Sequence, residues 1–210
     1  MNNWTSPPYW QDAIEYLKTS DPLIASLINQ YPDLKLRSRG QAFETLARSI
    51  IGQQISVKAA EAVWGRFYDL CERMVTPAKI LATPATELRT AGLSERKVIY
   101  IRDLAQHFAD GHLQPQDWPH VEDEELIRLL TEVKGIGRWT AEMFLIFHLM
   151  RPNIFPRDDL GLQKAISLHY RYKYPVSKRN MDVLARKWKP YATVAVWFLW
   201  RSLDPVPVEY

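Results

Sequence analysis

The sequence predicts an all-α protein. Apolar residues recur at spacings of three and four in almost every patterned segment, which is the period of one face of an α-helix. Strand-like alternation is scarce, and the chain shows no repeat of about 20–50 residues, no low-complexity tract and no flexible interdomain linker. A chain of 210 residues with 47% hydrophobic residues can bury a real core, so we expect a globular protein.

The helices follow one another along the chain with recognisable starts and ends. Ser20-Asp21-Pro22 combines a cap with proline at the first helical position. Ser94 caps a later helix, Gly111 follows the end of that helix, and we expect Asp123 to cap the next one. In chain order, the apolar faces consist of Leu23, Ile24, Leu27 and Ile28; Phe43, Leu46, Ala47, Ile50 and Ile51; Val57, Ala60, Val63, Trp64 and Phe67; Val98, Ile101, Leu104, Ala105 and Phe108; Leu126, Leu129 and Leu130; Ala141, Phe144, Leu145 and His148; and Val194, Ala195, Phe198 and Leu199.

The composition excludes several classes of protein. The single cysteine, Cys71, excludes intramolecular disulfides and a four-cysteine iron–sulfur cluster. The five histidines lack metal-ligand spacing, so we expect no catalytic metal. Neither a signal peptide nor an uninterrupted apolar run of about 18 residues is present, and we expect an intracellular protein without a membrane segment. A net charge of +3 permits nucleic-acid binding only through a local basic patch.

A Gly-x-Gly turn, Lys134-Gly135-Ile136-Gly137-Arg138, joins two helices with apolar faces. Glycine permits backbone angles that side chains forbid, and it lets a ligand approach the main chain closely. The amides of the turn and of the following helix can then converge on an anion, such as a DNA phosphate. Lys134 and Arg138 flank the turn and can add charged contacts to neighbouring phosphates. The pattern also fits a plain turn between two helices.

Two aspartates, Asp158 and Asp159, precede Leu160-Gly161-Leu162 at the start of another predicted helix. A helix N-terminus favours a charged carboxylate, and such a carboxylate can stabilise the positive charge that develops when a glycosidic bond is cleaved. The alternative is that one or both aspartates are only helix caps. The physics of the sequence does not choose between the two residues.

These motifs resemble the helix-hairpin-helix DNA glycosylase superfamily, and within it most closely the 3-methyladenine DNA glycosylase II branch. The similarity spans roughly residues 40–204, and its four motifs occur in the family's order: LARSIIGQQISVKAAE, LTEVKGIGRWTAEMFLIF, FPRDDLGL and WKPYATVAVWFLW. Some members carry an additional N-terminal β-rich domain, for which this chain is too short. We therefore expect the short form of the family.

The resemblance implies a two-lobed all-α fold with the active-site cleft between the lobes. Residues 1–210 would form a single glycosylase unit. The lobe that contains the hairpin would span approximately residues 43–150, and the second lobe would combine approximately residues 1–42 with residues 151–210.

The resemblance also implies the catalytic residue and the type of reaction. The family pattern places the catalytic carboxylate at Asp159, with Asp158 as a cap or a supporting group. Bifunctional glycosylase/lyases carry a nucleophilic lysine where this chain has Trp139. We therefore expect a monofunctional enzyme, because Lys134 does not occupy the matching position.

Further roles follow from the same resemblance. Gln54, in the GQQIS segment, would be the wedge that fills the gap left by the extruded base. On the residues alone, this segment equally fits a solvated turn between helices. Trp139 and Trp200 would line a pocket for cationic bases, together with Met143, where a relative has tyrosine. A Na⁺ or K⁺ ion bound by the carbonyls of Val133 and Ile136 would be the only bound cofactor.

The function expected from the resemblance is base excision repair. The enzyme would hydrolyse the N-glycosidic bond of alkylated purines, such as 3-methyladenine and 7-methylguanine, in double-stranded DNA and leave an abasic site. We expect a monomer in the cytoplasm or nucleoid, or in the nucleus of a eukaryote. The alternatives are a glycosylase for deaminated or mismatched bases and a non-catalytic helix-hairpin-helix DNA-binding module.

Overall fold

The computed structural model describes residues 5–38 and 40–204. Within these ranges the regular structure is helical, and the β pairing consists of an isolated antiparallel bridge between Thr5 and Ser38. The predicted all-α fold class is confirmed. The helices are α1 (Trp10–Ser20), α2 (Pro22–Gln30), α3 (Ala42–Gly52), α4 (Val57–Leu70), α5 (Pro77–Ala82), α6 (Ala85–Thr90), α7 (Glu95–Ala109), α8 (Asp123–Thr131), α9 (Arg138–Phe147), α10 (Leu160–Tyr170), α11 (Lys178–Trp188) and α12 (Ala192–Leu203), with a short 3-10 helix at Trp118–His120.

The helix starts agree with the sequence in two of three cases. The side chain of Asp21 caps α2, and the side chain of Ser94 accepts a hydrogen bond from the third residue of α7. Gly111 follows α7 with a φ of +74°. The expectation for Asp123 is wrong, because α8 begins at this residue and Glu122 is the extended residue before it. Asp123 lies in the first turn of α8, where the helix dipole also favours acidic residues.

The chain divides into two compact units. The first combines the described residues up to 38 with those from 145 onward. Within it, α12 contacts α1, α2, α10 and α11, and residues 192–199 of α12 are all buried. Trp10 of α1 meets Trp197 of α12 edge to face, with ring centroids 5.6 Å apart. The apolar C-terminal helix predicted from the sequence is therefore the core helix of this unit.

A buried carboxylate links three segments of the first unit. Asp21 is 1% exposed, and its Oδ1 accepts hydrogen bonds from amides in the first turn of α2. Its Oδ2 accepts hydrogen bonds from the Tyr170 hydroxyl at 2.8 Å and from Trp188 Nε1 at 2.9 Å, and Lys187 Nζ lies 3.0 Å away. Burial acts to raise the pKa of Asp21, but the bonds from Trp188, Tyr170 and Lys187 together hold that pKa below its ordinary value.

The second unit comprises residues 40–144. Helix α7 packs against α3 and α5, and α3 also packs against α4. Trp118, in the short 3-10 helix, meets Phe144 edge to face at a centroid distance of 5.6 Å. Cys71 is a buried free thiol. Across the described residues, no helix is both long and apolar enough to cross a membrane.

Candidate active site and nucleic-acid interface

Asp159 is the N-cap of α10. Its Oδ1 accepts a hydrogen bond from the Leu162 amide at 2.6 Å and another from Trp200 Nε1 at 2.9 Å. The side chain is half-buried, whereas the neighbouring Asp158 is exposed. Asp159 rather than Asp158 therefore caps the helix. Two N–H donors and the positive end of the helix dipole orient this carboxylate and complement its negative charge.

Trp200 and Gly161 complete the immediate surroundings of this carboxylate. The Trp200 indole stacks on Phe147, with ring centroids 5.7 Å apart and an interplanar angle of 16°. A Cβ atom at Gly161 would lie 3.2 Å from Asp159 Oδ1 and 3.5 Å from the indole. Glycine thus leaves room for the hydrogen bond between Trp200 and Asp159. The sequence predicts Trp200 only as a base-pocket residue and predicts no role for Gly161, because a contact between residues 41 positions apart has no local signature.

The two glycines of the hairpin have different roles. Gly135 has a φ of +85°, and a Cβ atom there would lie 2.2 Å from the ring of Tyr100. Gly137 does not have a positive φ, and apart from its chain neighbours no residue has a heavy atom within 4 Å of the position its Cβ would take. The expectation that both glycines supply special backbone angles is therefore wrong for Gly137. The open space beside Gly137 is where a ligand can reach the main chain.

The two basic residues of the hairpin are paired with carboxylates. Lys134 donates to Asp103 from its main-chain N and from Nζ, both at 2.9 Å. Arg138 makes two hydrogen bonds to Glu124, at 2.6 and 2.9 Å, and one to Glu142 at 3.0 Å. The hydrogen bond from Arg138 holds the pKa of Glu124 below its ordinary value. Both basic side chains remain more than half exposed, at 65% and 52%, so a phosphate can reach them but must compete with these carboxylates.

The remaining hairpin residues include the proposed cation ligands. Ile136 is 4% exposed and Val133 is 1% exposed, so their side chains anchor the hairpin in the second unit. The Val133 carbonyl accepts a hydrogen bond from the Ile136 amide at 3.1 Å. A carbonyl oxygen has a second lone pair, so this bond is compatible with ligation of a monovalent cation.

Gln54, the predicted wedge, is exposed and has a φ of +60°. This left-handed conformation is uncommon for a residue with a side chain and costs on the order of 1–3 kcal/mol, which contacts with the surrounding structure must offset. Ile55 and Val57 follow it and expose 40% and 68% of their surfaces. The turn between α3 and α4 therefore presents an exposed surface of one amide and two apolar side chains.

The predicted pocket residues divide between the two units. Trp200 belongs to the first unit and contacts Asp159 there. Trp139 and Met143 belong to helix α9 in the second unit, and they differ in exposure. Trp139 exposes 47% of its surface and can present an aromatic face to a ligand, whereas Met143 is only 5% exposed.

Comparison with known proteins identifies the class of protein that this fold and site define. Residues 47–190 match the family described as HhH-GPD superfamily base excision DNA repair protein. The chain belongs to this superfamily.

The chain is also similar to individual proteins of known name. The chain is 32% identical over 184 residues to DNA-3-methyladenine glycosylase 1 of Schizosaccharomyces pombe, an alignment that covers 85% of this chain and 80% of the relative. Among solved structures, it is similar to a DNA-3-methyladenine glycosidase from Bacillus halodurans, with 30% identity, a TM-score of 0.82, and coverage of 96% of this chain and 93% of that one. It is also similar to the S. pombe 3-methyladenine DNA glycosylase Mag1 in complex with abasic DNA, with 28% identity, a TM-score of 0.75, and coverage of 94% and 100%.

Proposed function

We propose that this chain is a monofunctional DNA glycosylase that removes alkylated purines, such as 3-methyladenine and 7-methylguanine, from duplex DNA. The observation that carries the proposal is the carboxylate of Asp159, held at a helix N-terminus by one amide and one indole N–H. Membership of a base excision repair superfamily supports it, as does the similarity to proteins named DNA-3-methyladenine glycosylase. The expected product is an abasic site.

The chemistry requires a single carboxylate. As the bond between C1′ and the base nitrogen breaks, the base leaves with the electron pair and positive charge develops on the sugar. Asp159 stabilises this charge, and a water molecule then adds hydroxide to C1′ and releases a proton. A base alkylated at N3 or N7 already carries a positive charge, so it leaves without protonation by a second acid. The exposed aromatic face of Trp139 suits such a cationic base.

The reaction stops at base release because the chain lacks a lysine nucleophile at the required place. Trp139 occupies the position in the first turn of α9 where lyases of the superfamily carry lysine. The ammonium group of Lys134 pairs with Asp103 and does not substitute for it. Strand cleavage by Schiff-base chemistry is therefore not expected.

DNA would be held by main-chain and wedge contacts. The open main chain at Gly137 and the amides that follow it suit a phosphate, and Gln54 is exposed to fill the space left by the extruded base. A Na⁺ or K⁺ ion at the carbonyls of Val133 and Ile136 would add positive charge beside that phosphate. We propose that the protein acts as a monomer in the cytoplasm or nucleoid, or in the nucleus of a eukaryote.

The test is base release from methylated duplex DNA by the wild type, by Asp159→Asn and by Asp158→Asn, with strand breaks scored before and after alkali. Asp158→Asn is the matched control because it removes the same charge at the adjacent, exposed position. We expect the wild type and the control to release methylpurines and to yield breaks only after alkali, whereas Asp159→Asn binds DNA without base release.

Three other results of this test would each contradict a different part of the proposal. Near-full activity of Asp159→Asn would contradict the role of this carboxylate. Release of deaminated or mismatched bases alone would establish a different substrate class. Binding without release by the wild type would establish a non-catalytic DNA-binding module.

A further inference from the structure

The segment that carries the proposed wedge is connected to the hairpin by contacts that the roles above leave unused. Helix α3 ends at Gly52, Gln53 follows as its C-cap, and Gln54 then adopts its left-handed conformation. We call residues 52–56 the wedge loop and residues 133–138 the hairpin. Because the conformation of Gln54 is unfavourable by itself, contacts with neighbouring groups must offset its cost.

Gln53 contacts the hairpin directly. Its Nε2 donates a hydrogen bond to the carbonyl oxygen of Gly135 at 2.9 Å, across 82 residues of sequence, in a partly buried position. Gly135 is also the hairpin residue whose φ is +85° and against which Tyr100 packs. The bond therefore joins the wedge loop to the hairpin glycine that has the positive φ.

Lys97 holds the N-terminal end of the wedge loop, where Gln53 also lies. Its Nζ donates to the Ile51 carbonyl at 2.6 Å and to the Gln53 carbonyl at 2.9 Å. These carbonyls lie at the C-terminal end of α3, where a cation interacts favourably with the helix dipole. The side chain of Lys97 is partly buried here, and this burial lowers the pKa of its ammonium group.

One face of α7 supports both segments. Lys97, Tyr100 and Asp103 follow one another at three-residue spacing, which places them along the same side of a helix. Lys97 bonds the wedge loop, Tyr100 packs on Gly135, and Asp103 bonds the main chain and side chain of Lys134. Helix α7 thus fixes the wedge loop and the hairpin relative to each other.

We propose that Gln53 and Lys97 are positioning residues for base extrusion, which hold the wedge at Gln54 in register with the DNA-binding hairpin. This inference rests on the proposed function. Extrusion requires the wedge to enter the duplex at a set distance from the phosphate that the hairpin binds. Loss of either tether lets the wedge loop move independently, which slows extrusion and leaves the carboxylate chemistry unaffected.

The experiment compares two DNA substrates under single-turnover conditions with saturating enzyme. In one, 7-methylguanine is paired with cytosine; in the other, it lies in a single-nucleotide bulge and needs little extrusion. The variants are Gln53→Met and Lys97→Met, which remove the donors. The matched controls are Gln114→Met, whose Nε2 bonds a glycine carbonyl at 2.8 Å within a local turn, and Lys79→Met, whose Nζ bonds Glu72 at 2.8 Å.

We expect Gln53→Met to slow base release from the paired substrate about three- to tenfold, and Lys97→Met by about tenfold or more. Both variants should remain within about twofold of the wild type on the bulged substrate, and the controls should match the wild type on both. Lys97→Arg, which keeps a charged donor, should recover part of the loss. Fluorescence of 2-aminopurine next to the lesion should report slower unstacking in the two test variants.

Equal slowing on paired and bulged DNA, or no slowing on either, would overturn the inference alone. Normal unstacking kinetics in both variants would also overturn it. Failure of the wild type to release the base from either substrate would overturn the proposed function, and with it the inference. Gln53→Glu, which keeps the length of the side chain and removes the donor, provides a folded test variant if the methionine substitutions unfold the protein.

Discussion

Replacement of Gly135 and Gly137 by alanine, one at a time, should separate conformational and ligand-facing roles within a single turn. At Gly135 the φ of +85° costs alanine about 1–2 kcal/mol. The new Cβ would also lie 2.2, 2.5 and 2.7 Å from three ring atoms of Tyr100. The ring must retreat by about 1 Å to reach ordinary contact distance, and overpacking of this kind costs about 1–3 kcal/mol. We therefore expect a loss of about 2–5 kcal/mol in the free energy of unfolding.

At Gly137 neither cost applies. The residue does not have a positive φ, and apart from its chain neighbours no residue has a heavy atom within 4 Å of the added Cβ. We expect the free energy of unfolding to stay within about 0.5 kcal/mol of the wild type. Affinity for duplex DNA should nevertheless fall about tenfold, because the methyl group keeps a phosphate away from the main chain.

Urea unfolding followed by fluorescence measures stability, and fluorescence anisotropy with a labelled duplex measures binding. Equal stability of the two variants would refute the structural reasoning about Gly135. Unchanged DNA affinity of Gly137→Ala would show that the phosphate does not approach the hairpin there. The double variant Gly135→Ala/Tyr100→Ala, compared with both single variants, should recover the packing part of the loss and leave the conformational part.

Three further predictions concern buried or active-site groups. Trp200→Phe removes the N–H donor to Asp159 and keeps an aromatic ring, so single-turnover base release should slow about tenfold with little change in the melting temperature. Gly161→Ala places a Cβ 3.2 Å from Asp159 Oδ1, so base release should slow about three- to tenfold, while better helix propensity raises stability by up to about 1 kcal/mol in urea unfolding. Asp21→Asn breaks a buried network and should lower the free energy of unfolding by about 2–4 kcal/mol. The pKa of Asp21 in the folded state lies below its unfolded-state value of 3.8. Its contribution to the free energy of unfolding is therefore complete above pH 3.8 and disappears as the pH falls through the folded-state pKa. Urea unfolding at a series of pH values should show that the variant loses less stability on the acid side than the wild type does.

Each of the three variants has a result that would contradict its prediction. Wild-type rates in Trp200→Phe would show that the indole N–H does not position the carboxylate. An unchanged rate in Gly161→Ala would show that the surroundings of Asp159 tolerate a methyl group. If the free energy of unfolding of Asp21→Asn fell with decreasing pH as steeply as that of the wild type, a group other than Asp21 would cause the acid sensitivity.

Much of the fold could be predicted from the sequence because helices and their caps are encoded locally. Apolar residues at helical spacing marked the helices, and Ser20-Asp21-Pro22 and Ser94 marked two of the starts. The pattern could not distinguish a cap at Asp123 from an acidic residue in a first turn, since the helix dipole favours both. It likewise located the Gly-x-Gly turn without showing which glycine needs a positive φ, because that depends on the path of the chain at Gly135.

The sequence by itself determined the helical class, the positions of the hairpin and the aspartates, and the absence of an intramolecular disulfide. Tertiary structure alone decided which side chains meet. Trp200 donates to Asp159, 41 residues away in the sequence, and Gln53 donates to Gly135, 82 residues away. The two basic residues of the hairpin bond carboxylates on other helices, and Arg138 also bonds one a single turn further along its own helix. The physical reason is that helix period and caps depend on neighbours within one or two turns, whereas these contacts depend on how whole helices pack.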